Sequence, residues 1–250
     1  MHGVLLQLGV MGVVYGALEW CFPNRPEQRT LRPRLATDLA FFFGAHLFWL
    51  GIEVAALIAV REVLVDVVPA SVPAAFANLP WLLQAGIVLV AGDVLTYWYH
   101  RASHEAPWLW RFHQVHHSTT QLDWLAAHRE HPIDGFLTQL AMNLPAFALG
   151  VSLEGLAGLI IFRGAWATLI HSNVRLPLGP LRYLIGAPEL HHWHHAAVRT
   201  RHNFSNLAPW TDLVFGTYHC PPHQHHELGV PGLAERGYLG WLFPPRPPNG

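Results

Sequence analysis

Residues 80–104 read PWLLQAGIVLVAGDVLTYWYHRASH, an apolar run that ends in two histidines, His100 and His104, four positions apart. The stretch 80–99 has the length of about 20 residues that an α-helix needs to cross the hydrocarbon core of a bilayer. Because positions i and i+4 share one face of a helix, both imidazoles can reach the same ion. The stretch therefore predicts a membrane helix that carries metal ligands at its end.

Four further apolar stretches predict the rest of the fold. Residues 3–22 and 37–60 are long enough to span a bilayer, and the first lacks the basic segment and the cleavage site of a signal peptide, so we interpret it as an anchor. Residues 135–150 and 155–170 are shorter, and they predict a helical hairpin that turns at 151–154 and crosses the bilayer only in part. We expect an all-α integral membrane protein with four or five membrane helices.

The composition argues against several classes of protein. Hydrophobic residues make up 52% of the 250 residues and charged residues 12%. That charged share is about half the ~25% typical of soluble domains, which argues against an ordinary soluble enzyme. The net charge of −1 offers no basic surface for nucleic acid. Cys21 and Cys220 form neither a disulfide framework nor a zinc-finger spacing. The unusual feature is histidine, with 19 residues.

The arginines predict the orientation in the membrane. The loop between the first two spans carries Arg25, Arg29, Arg32 and Arg34, whereas the loop between the second and third spans carries only Arg61. Since positive residues favour the cytoplasmic side, the first loop, residues 100–134 and everything after residue 171 are expected to share that side. We therefore expect a multi-pass protein of a bacterial inner membrane with its histidine clusters at the cytoplasmic face.

Three histidine clusters carry the chemistry, one with the spacing HxxxH and two with the spacing HxxHH. Eight imidazoles exceed what one ion uses, and they divide naturally between two ions, each with an open position. Imidazole suits zinc, copper, iron and nickel, and two irons with open positions can bind and reduce dioxygen. The absence of a thiolate cluster from the sequence excludes an iron–sulfur centre. The eight residues, which we interpret as metal ligands and catalytic residues, are His100, His104, His113, His116, His117, His191, His194 and His195.

Two more histidines are candidate ligands. His171 follows the apolar stretch 155–170, on the side of the clusters. His131 precedes Pro132, which tends to end a helix or to hold a turn rigid, and it lies at the mouth of the predicted hairpin. His128, three residues earlier, is the alternative to His131. We predict a metal site of ten histidines, the eight above together with His131 and His171.

Other polar residues are expected to support the ligands. Asp93 is an acid near the end of a membrane stretch, which is a functional hypothesis by default, and we expect it to fix the ring of a ligand histidine. Asp212 plays a similar part or caps a helix. His192 lies off the face that the HxxHH ligands share, so we place it beside the site rather than in it. His46, in the middle of a span, is interpreted as a hydrogen-bonded core histidine, and His202 as a possible neighbour of the site.

A larger set of residues surrounds the clusters in a recognisable order. They are Asp93, Tyr97, 98–101 (WYHR), His104, 113–119 (HQVHHST), His131 with Pro132, Asp134, 171–173 (HSN), 191–195 (HHWHH), 203–205 (NFS), Trp210, Asp212 and 215–218 (FGTY). In these positions the region 93–218 resembles the fatty acid hydroxylase (sterol desaturase) superfamily of membrane di-iron oxidoreductases. The resemblance covers half of the chain, and Asn173, in the HSN motif, joins the expected supporting residues through it.

The resemblance implies a helical membrane enzyme with a dimetal site in a cytoplasmic helical cap. It implies two iron ions that use dioxygen to hydroxylate or desaturate a lipid, which is a fatty acyl chain, a sterol or a related lipid. Some members carry a fused electron-donor domain that has no counterpart here, so we expect electrons from a separate ferredoxin- or cytochrome-type protein. Zinc can replace iron in purified protein, because the ligands do not exclude it.

One departure from the family pattern concerns the ligand set. Some members have another HxxxH before the last cluster, whereas here His171 has Ala167 four residues before it. This departure is the reason to expect His131 in the site. The predicted organisation is one membrane-embedded domain, 1–250, with spans in 1–92, the catalytic region at 93–218 and an irregular tail at 219–250.

Three alternative functions remain open from the sequence. A desaturase would use the same oxidant, and no residue separates it from a hydroxylase. A haem-binding membrane electron carrier would place single histidines at mid-span on facing helices, whereas the clusters here lie beyond helix ends. A metal transporter would hold its ligands within the spans, near the midplane. We favour the hydroxylase.

Overall fold

Helices are the only regular elements in the part of the chain that the structure, a computed structural model, describes: residues 1–197, 201–221, 226–234 and 236–245. The prediction of an all-α protein is thereby confirmed. The helices are α1 (His2–Cys21), α2 (Leu35–Gly44), α3 (Leu50–Val67), α4 (Ser71–Ala77), α5 (Trp81–Glu105), α6 (Pro107–His117), α7 (Pro132–Ala148), α8 (Leu153–His171), α9 (Pro188–His194), α10 (Trp210–Phe215) and α11 (Tyr238–Trp241).

Three helical stretches are long and apolar enough to cross a membrane: His2–Cys21, Leu35–Val67 and Trp81–Glu105. The second is one continuous helix, because α2 runs through a π-helical turn at Ala45–Trp49 into α3. No residue of α1 is fully buried, and its apolar residues Leu5, Leu6, Val10 and Val13 are exposed. Exposed apolar side chains along a helix of this length are typical of lipid contact. The three longer stretches predicted from the sequence are confirmed as candidate membrane helices.

The two shorter stretches form the consecutive helices α7 and α8. The chain turns between them at 149–152, where Gly150 adopts a left-handed φ of 71° and its N–H bonds to the carbonyl of Phe147. The hydroxyl of Ser152 accepts the N–H of Gly155 and caps α8. The predicted turn at 151–154 is therefore wrong by two residues, because the Ser152 cap lets the helix begin at once. The structure supports three candidate spans, and a fourth and fifth stay a prediction.

The helix ends around the histidines follow from proline chemistry. Ala106 ends α5 in an extended conformation, as the residue before a proline tends to do, and Pro107 then starts α6 at its first position. Pro132 starts α7 and Pro188 starts α9 in the same way. α7 packs against α5 and α3, and α9 packs against α8. Helices that are distant in sequence thus meet at one end of the molecule.

Buried ion pairs join the arginine-rich first loop to the end of the molecule where the histidines lie. Arg32 contacts Asp38 and Asp123, each at 2.5 Å, and Arg129 reaches Asp38 at 2.5 Å. These charges have little exposure to water, so removing one partner leaves an uncompensated buried charge. The network joins the first loop to the segment that follows α6. The first loop and the segment after α6 therefore lie together, and their side of the membrane stays a prediction.

The C-terminal segment is more ordered than the sequence suggests. We expected an irregular tail, but residues 238–241 form α11, and Trp241, 1% exposed, lies in a core cluster with Phe41 and Val115. The carbonyls of Pro244 and Pro245 accept hydrogen bonds from Arg111 and Gln114 on α6. Residues 222–225 and 246–250, also part of the predicted tail, lie outside the described residues. The described end of the chain is therefore hydrogen-bonded to α6.

Candidate metal centre

Among the described residues, nine histidines converge at the ends of α5, α6, α8 and α9, in two groups, within each of which the possible ligand atoms lie within 4.8 Å of one another. All nine are buried except His100, which is half-buried. The rings of His117 and His195 stack at 4.3 Å between centroids, so the two groups adjoin. The five-histidine group is His100, His104, His113, His117 and His194, and the four-histidine group is His116, His171, His191 and His195.

Each HxxHH cluster is divided between the two groups. On α6, His113 and His117 are one helical turn apart on one face and join the five-histidine group, whereas His116 points to the four-histidine group. At the end of α9 the division is reversed. His191 and His195 join the four-histidine group, and His194 joins the five-histidine group. Each cluster with the repeated spacing therefore contributes histidines to both groups.

Hydrogen bonds fix where the protons sit in the five-histidine group. Nδ1 of His100 donates to the carbonyl of Phe204 at 2.8 Å, and Nδ1 of His113 donates to the carboxylate of Asp134 at 2.8 Å. A neutral imidazole has one N–H, so Nε2 of each ring carries a lone pair. These two Nε2 atoms face each other at 3.1 Å. Two lone pairs at this distance repel unless a cation lies between them.

The four-histidine group repeats the arrangement. Nδ1 of His116 donates to the carbonyl of Arg129 at 3.1 Å, and Nδ1 of His171 donates to the carbonyl of Ala167 at 2.6 Å. The Nε2 atoms of these two histidines lie 2.9 Å apart, again lone pair to lone pair. Nε2 of His191 lies 2.8 Å from that of His171. Both groups therefore fit a metal ion that takes neutral nitrogen ligands.

Five buried histidines of the two groups, all outside the candidate spans, have a pKa well below the ordinary value. Burial is the main cause that lowers the pKa of His116, His117, His191 and His195 well below the ordinary value, and neighbouring imidazoles lower it further. The pKa of His194 is lowered in the same way. A metal competes with protons for each ring nitrogen, so imidazoles that resist protonation are prepared to bind metal at neutral pH.

His131 lies in neither group. It is the N-cap of α7, where its Nδ1 accepts the N–H of Ile133 at 3.1 Å, and its Nε2 lies 3.3 Å from the carbonyl of Leu242. Both ring nitrogens are thus engaged in local contacts. The four-histidine group already has four ligands without it, so the structure removes the reason for expecting His131 in the site. His128 and His46 also lie outside the groups and pack against Phe42.

The acid that contacts a ligand histidine is Asp134, not Asp93. One oxygen of Asp134 accepts the bond from His113 described above, and the other accepts the hydroxyl of Tyr99 at 2.5 Å. Asp93 instead accepts the backbone N–H of Leu207 at 3.1 Å and touches no ligand histidine among the described residues. The contact with a candidate ligand that we expected of Asp93 is made by Asp134, a residue of the family motif.

Asp212 acts through the backbone. Its two carboxylate oxygens accept the N–H groups of Phe204 and Ser205, each at 2.9 Å. The carbonyl of Phe204 in turn receives the proton of His100. In the described part of the chain Asp212 thus connects to His100 only through the backbone of Phe204, and its supporting role stays a prediction.

Asn173 and His192 hold the first loop rather than a ligand. The side chain of Asn173 bonds to the backbone N–H and carbonyl of Arg25 at 2.9 and 3.1 Å. Nε2 of His192 donates to the carbonyl of Ser172 at 3.0 Å, and its Nδ1 accepts from Asn24 at 3.0 Å. Both residues therefore anchor the segment around His171 to the loop after α1.

A cavity of about 120 Å³ lies against both histidine groups and between α5, α7 and α8. His100, His116 and His171 are among its lining residues, so a bound molecule would contact both groups. Sequence reasoning missed Arg163, which also lines the cavity, is 5% exposed and donates to the carbonyl of Leu89 at 2.7 Å. A charged residue within an apolar stretch was the signal that would have found it.

Comparison with known proteins agrees with this geometry. The family model described as fatty acid hydroxylase matches residues 85–217, which include all nine converging histidines. Ornithine lipid hydroxylase OlsE of Rhizobium tropici is 33% identical over 170 residues, 66% of this chain and 51% of that protein. Alkylglycerol monooxygenase of Homo sapiens is 29% identical over 164 residues, 62% of this chain and 34% of that protein.

The similarity extends to a third activity. Very-long-chain aldehyde decarbonylase GL1-4 of Oryza sativa is 27% identical over 154 residues, 57% of this chain and 25% of that protein. The alignments thus span about half of the first relative and a third or less of the other two. No solved structure matches the chain.

Proposed function

The chain belongs to the fatty acid hydroxylase family, and from this premise we propose that it is a membrane-bound di-iron oxygenase that hydroxylates a C–H bond of a lipid. The observation that carries the proposal is the pair of adjoining imidazole groups, each with lone pairs facing one another across 2.9–3.1 Å. Two related proteins that act as a lipid hydroxylase and an alkylglycerol monooxygenase support the choice of reaction.

Two iron ions would be held by the five-histidine and the four-histidine groups. When bound, they supply the redox chemistry that activates dioxygen, and one oxygen atom enters the lipid while the other leaves as water. The ligands are neutral and soft enough for zinc as well, so zinc can occupy the site in purified protein. Electrons come from a separate ferredoxin- or cytochrome-type protein.

The protein itself positions the lipid and excludes water from the site. The burial of the imidazoles keeps bulk water away from the reacting atoms, which preserves a reactive oxidant. The cavity between α5, α7 and α8 holds the lipid against both groups. Residues 93–218 form the catalytic region, and the spans in 1–92 anchor it in a bacterial inner membrane with the site in a cytoplasmic cap. The ion pairs between the first loop and the segment after α6 support the proposal that both lie on the same side of the membrane.

The experiment that tests this function is lipid mass spectrometry of cells with and without the gene, together with iron analysis of the purified protein. We expect one lipid class to gain the mass of one oxygen atom, and about two irons per chain because nine imidazoles exceed what one ion uses. The control is cells that express His104→Ala. A loss of two hydrogen atoms would identify a desaturase instead, and an unchanged lipid profile with iron-free protein would refute the proposal.

A bulky side chain in the cavity should block the lipid without disturbing the metals. Gly164 lines the cavity, and a Cβ there meets no atom within 4 Å, so Gly164→Leu fills open space. We expect lipid turnover to fall at least ~10-fold, the effect of a group of this size in a substrate pocket, with iron content unchanged. The matched control is Gly158→Leu, on the same helix, also in open space and away from the cavity. Equal turnover in the two variants would place the lipid elsewhere.

A further inference from the structure

One short loop receives the protons of two ligands that come from different helices. Nδ1 of His100, on α5, donates to the carbonyl of Phe204 at 2.8 Å. Nδ1 of His194, on α9, donates to the carbonyl of His202 at 2.9 Å. The residue between these two carbonyls is Asn203, whose φ of 57° is left-handed. In this loop conformation the carbonyls of His202 and Phe204 both accept hydrogen bonds from the five-histidine group.

Asn203 is itself held on three sides. Its side-chain nitrogen donates to the carbonyls of Leu190 and His219, at 3.0 and 2.6 Å. Its side-chain oxygen accepts the N–H of His219 at 2.8 Å, and its own N–H donates to the carbonyl of Thr217 at 2.9 Å. Asparagine tolerates the left-handed region better than most residues do, and here its amide adds the bonds that keep the loop there.

The ring of Phe204 adds a second contact to the same group. It lies edge-on to His100, His104 and His194, with centroids 5.3–5.8 Å apart. No ring contact joins Phe204 to the four-histidine group among the described residues. In the described part of the chain the ring of Phe204 therefore contacts three histidines, all of the five-histidine group.

The four-histidine group depends on other acceptors. His116 donates to the carbonyl of Arg129, and His171 donates to the carbonyl of Ala167 within its own helix. Nδ1 of His191 and Nδ1 of His195 have no hydrogen-bond partner in the described part of the chain. The hydrogen-bond acceptors of His116 and His171 thus lie outside the loop 202–205.

We propose that the loop 202–205 sets the tautomer and orientation of His100 and His194, and that Asn203 is the positioning residue through which it controls the metal affinity of the five-histidine group alone. The inference rests on the proposed two-metal site. A ring whose Nδ1 proton is held by a carbonyl presents Nε2 to the metal, and losing such a partner typically lowers metal affinity by about 10–100-fold. The four-histidine group should keep its affinity.

The test is a metal titration of the purified, detergent-solubilised full chain with iron, read as the number and affinity of bound ions. In Asn203→Ala both the amide bonds and the favourable left-handed backbone are lost, so we expect one of the two affinities to fall by about 10–100-fold. Asn203→Gly keeps the backbone conformation at low cost and loses only the amide bonds, so its fall should be smaller. It also serves as the test variant where Asn203→Ala fails to fold.

Double variants identify which group is affected. In a His104→Ala background, which already damages the five-histidine group, Asn203→Gly should change the remaining tight site by less than 2-fold. In a His171→Ala background, the same substitution should weaken the remaining site by the factor it shows alone. A merely structural role would weaken both sites together, and that result, or no change in either site, would overturn the proposal. A wild-type chain that binds fewer than two metals would refute the two-metal function instead.

Discussion

The His171→Ala variant is expected to retain about one tightly bound metal per chain and to lose lipid turnover by more than ~100-fold. His171 is one of only four ligands in its group, and its Nε2 lies within 2.9 Å of the Nε2 atoms of both His116 and His191. Losing a direct ligand should exceed the 10–100-fold effect of losing a residue that only orients one. Metal analysis and lipid turnover measure the two parts of this expectation.

His131→Ala is the matched control, because the family pattern drew attention to both histidines. His131 caps α7 and reaches neither group, so the variant should keep both metals. Its cost should be one of stability, about 1 kcal/mol for the loss of an N-cap, measured by thermal unfolding. Loss of metal from His131→Ala, with both metals retained in His171→Ala, would show that the ligands have been assigned to the wrong histidines.

The contrast between these two residues shows what the sequence could predict. His171 ends an apolar helix, and the direction of that helix is sufficient to place it among the clusters. His131 precedes a proline, and this local signal has two interpretations, a ligand at the mouth of a hairpin or a helix cap. Only the position of α7 against α5 decides between them, and that packing carries no mark in the residues around Pro132.

Distance along the helix explains why Asp93 does not contact His100. Asp93 precedes His100 by seven residues, and a rise of 1.5 Å per residue separates their backbones by about 10 Å along α5, too far for a carboxylate to reach the ring. Asp134 lies on α7, which packs against α6 as well as α5, and so its carboxylate reaches His113 on α6. Contacts between helices of this kind depend on tertiary packing, which spacing along one helix cannot reveal.

The sequence could predict only part of the division of each HxxHH cluster between the two histidine groups. The spacing places His113 and His117 on one helix face, but it places His116 close to that face as well. What separates them is that α5 adds His100 and His104 to the five-histidine group, whereas α8 adds His171 to the four-histidine group. The sequence could not predict that the carbonyls of His202 and Phe204 accept these hydrogen bonds, because every residue has a backbone carbonyl.

The other large effect is expected from Asp134→Asn, which should weaken metal binding in the five-histidine group. His113 is the centre of that group, since its Nε2 lies 3.1 Å from the Nε2 atoms of His100, His104 and His117. The carboxylate of Asp134 holds the proton of His113 on Nδ1 and makes the opposite nitrogen more basic. A neutral amide of the same shape keeps the geometry but supplies no charge.

We therefore expect the affinity of one metal in Asp134→Asn to fall by about 10–100-fold, with the second metal unaffected, in an iron titration. Tyr99→Phe is the matched control, because it removes the hydroxyl that donates to the other oxygen of Asp134 and leaves the bond to His113 in place. Its effect on metal affinity should be several-fold smaller. If Asp134→Asn binds both metals as tightly as the wild type, the carboxylate does not tune His113, and the orientation of that ring must come from packing alone.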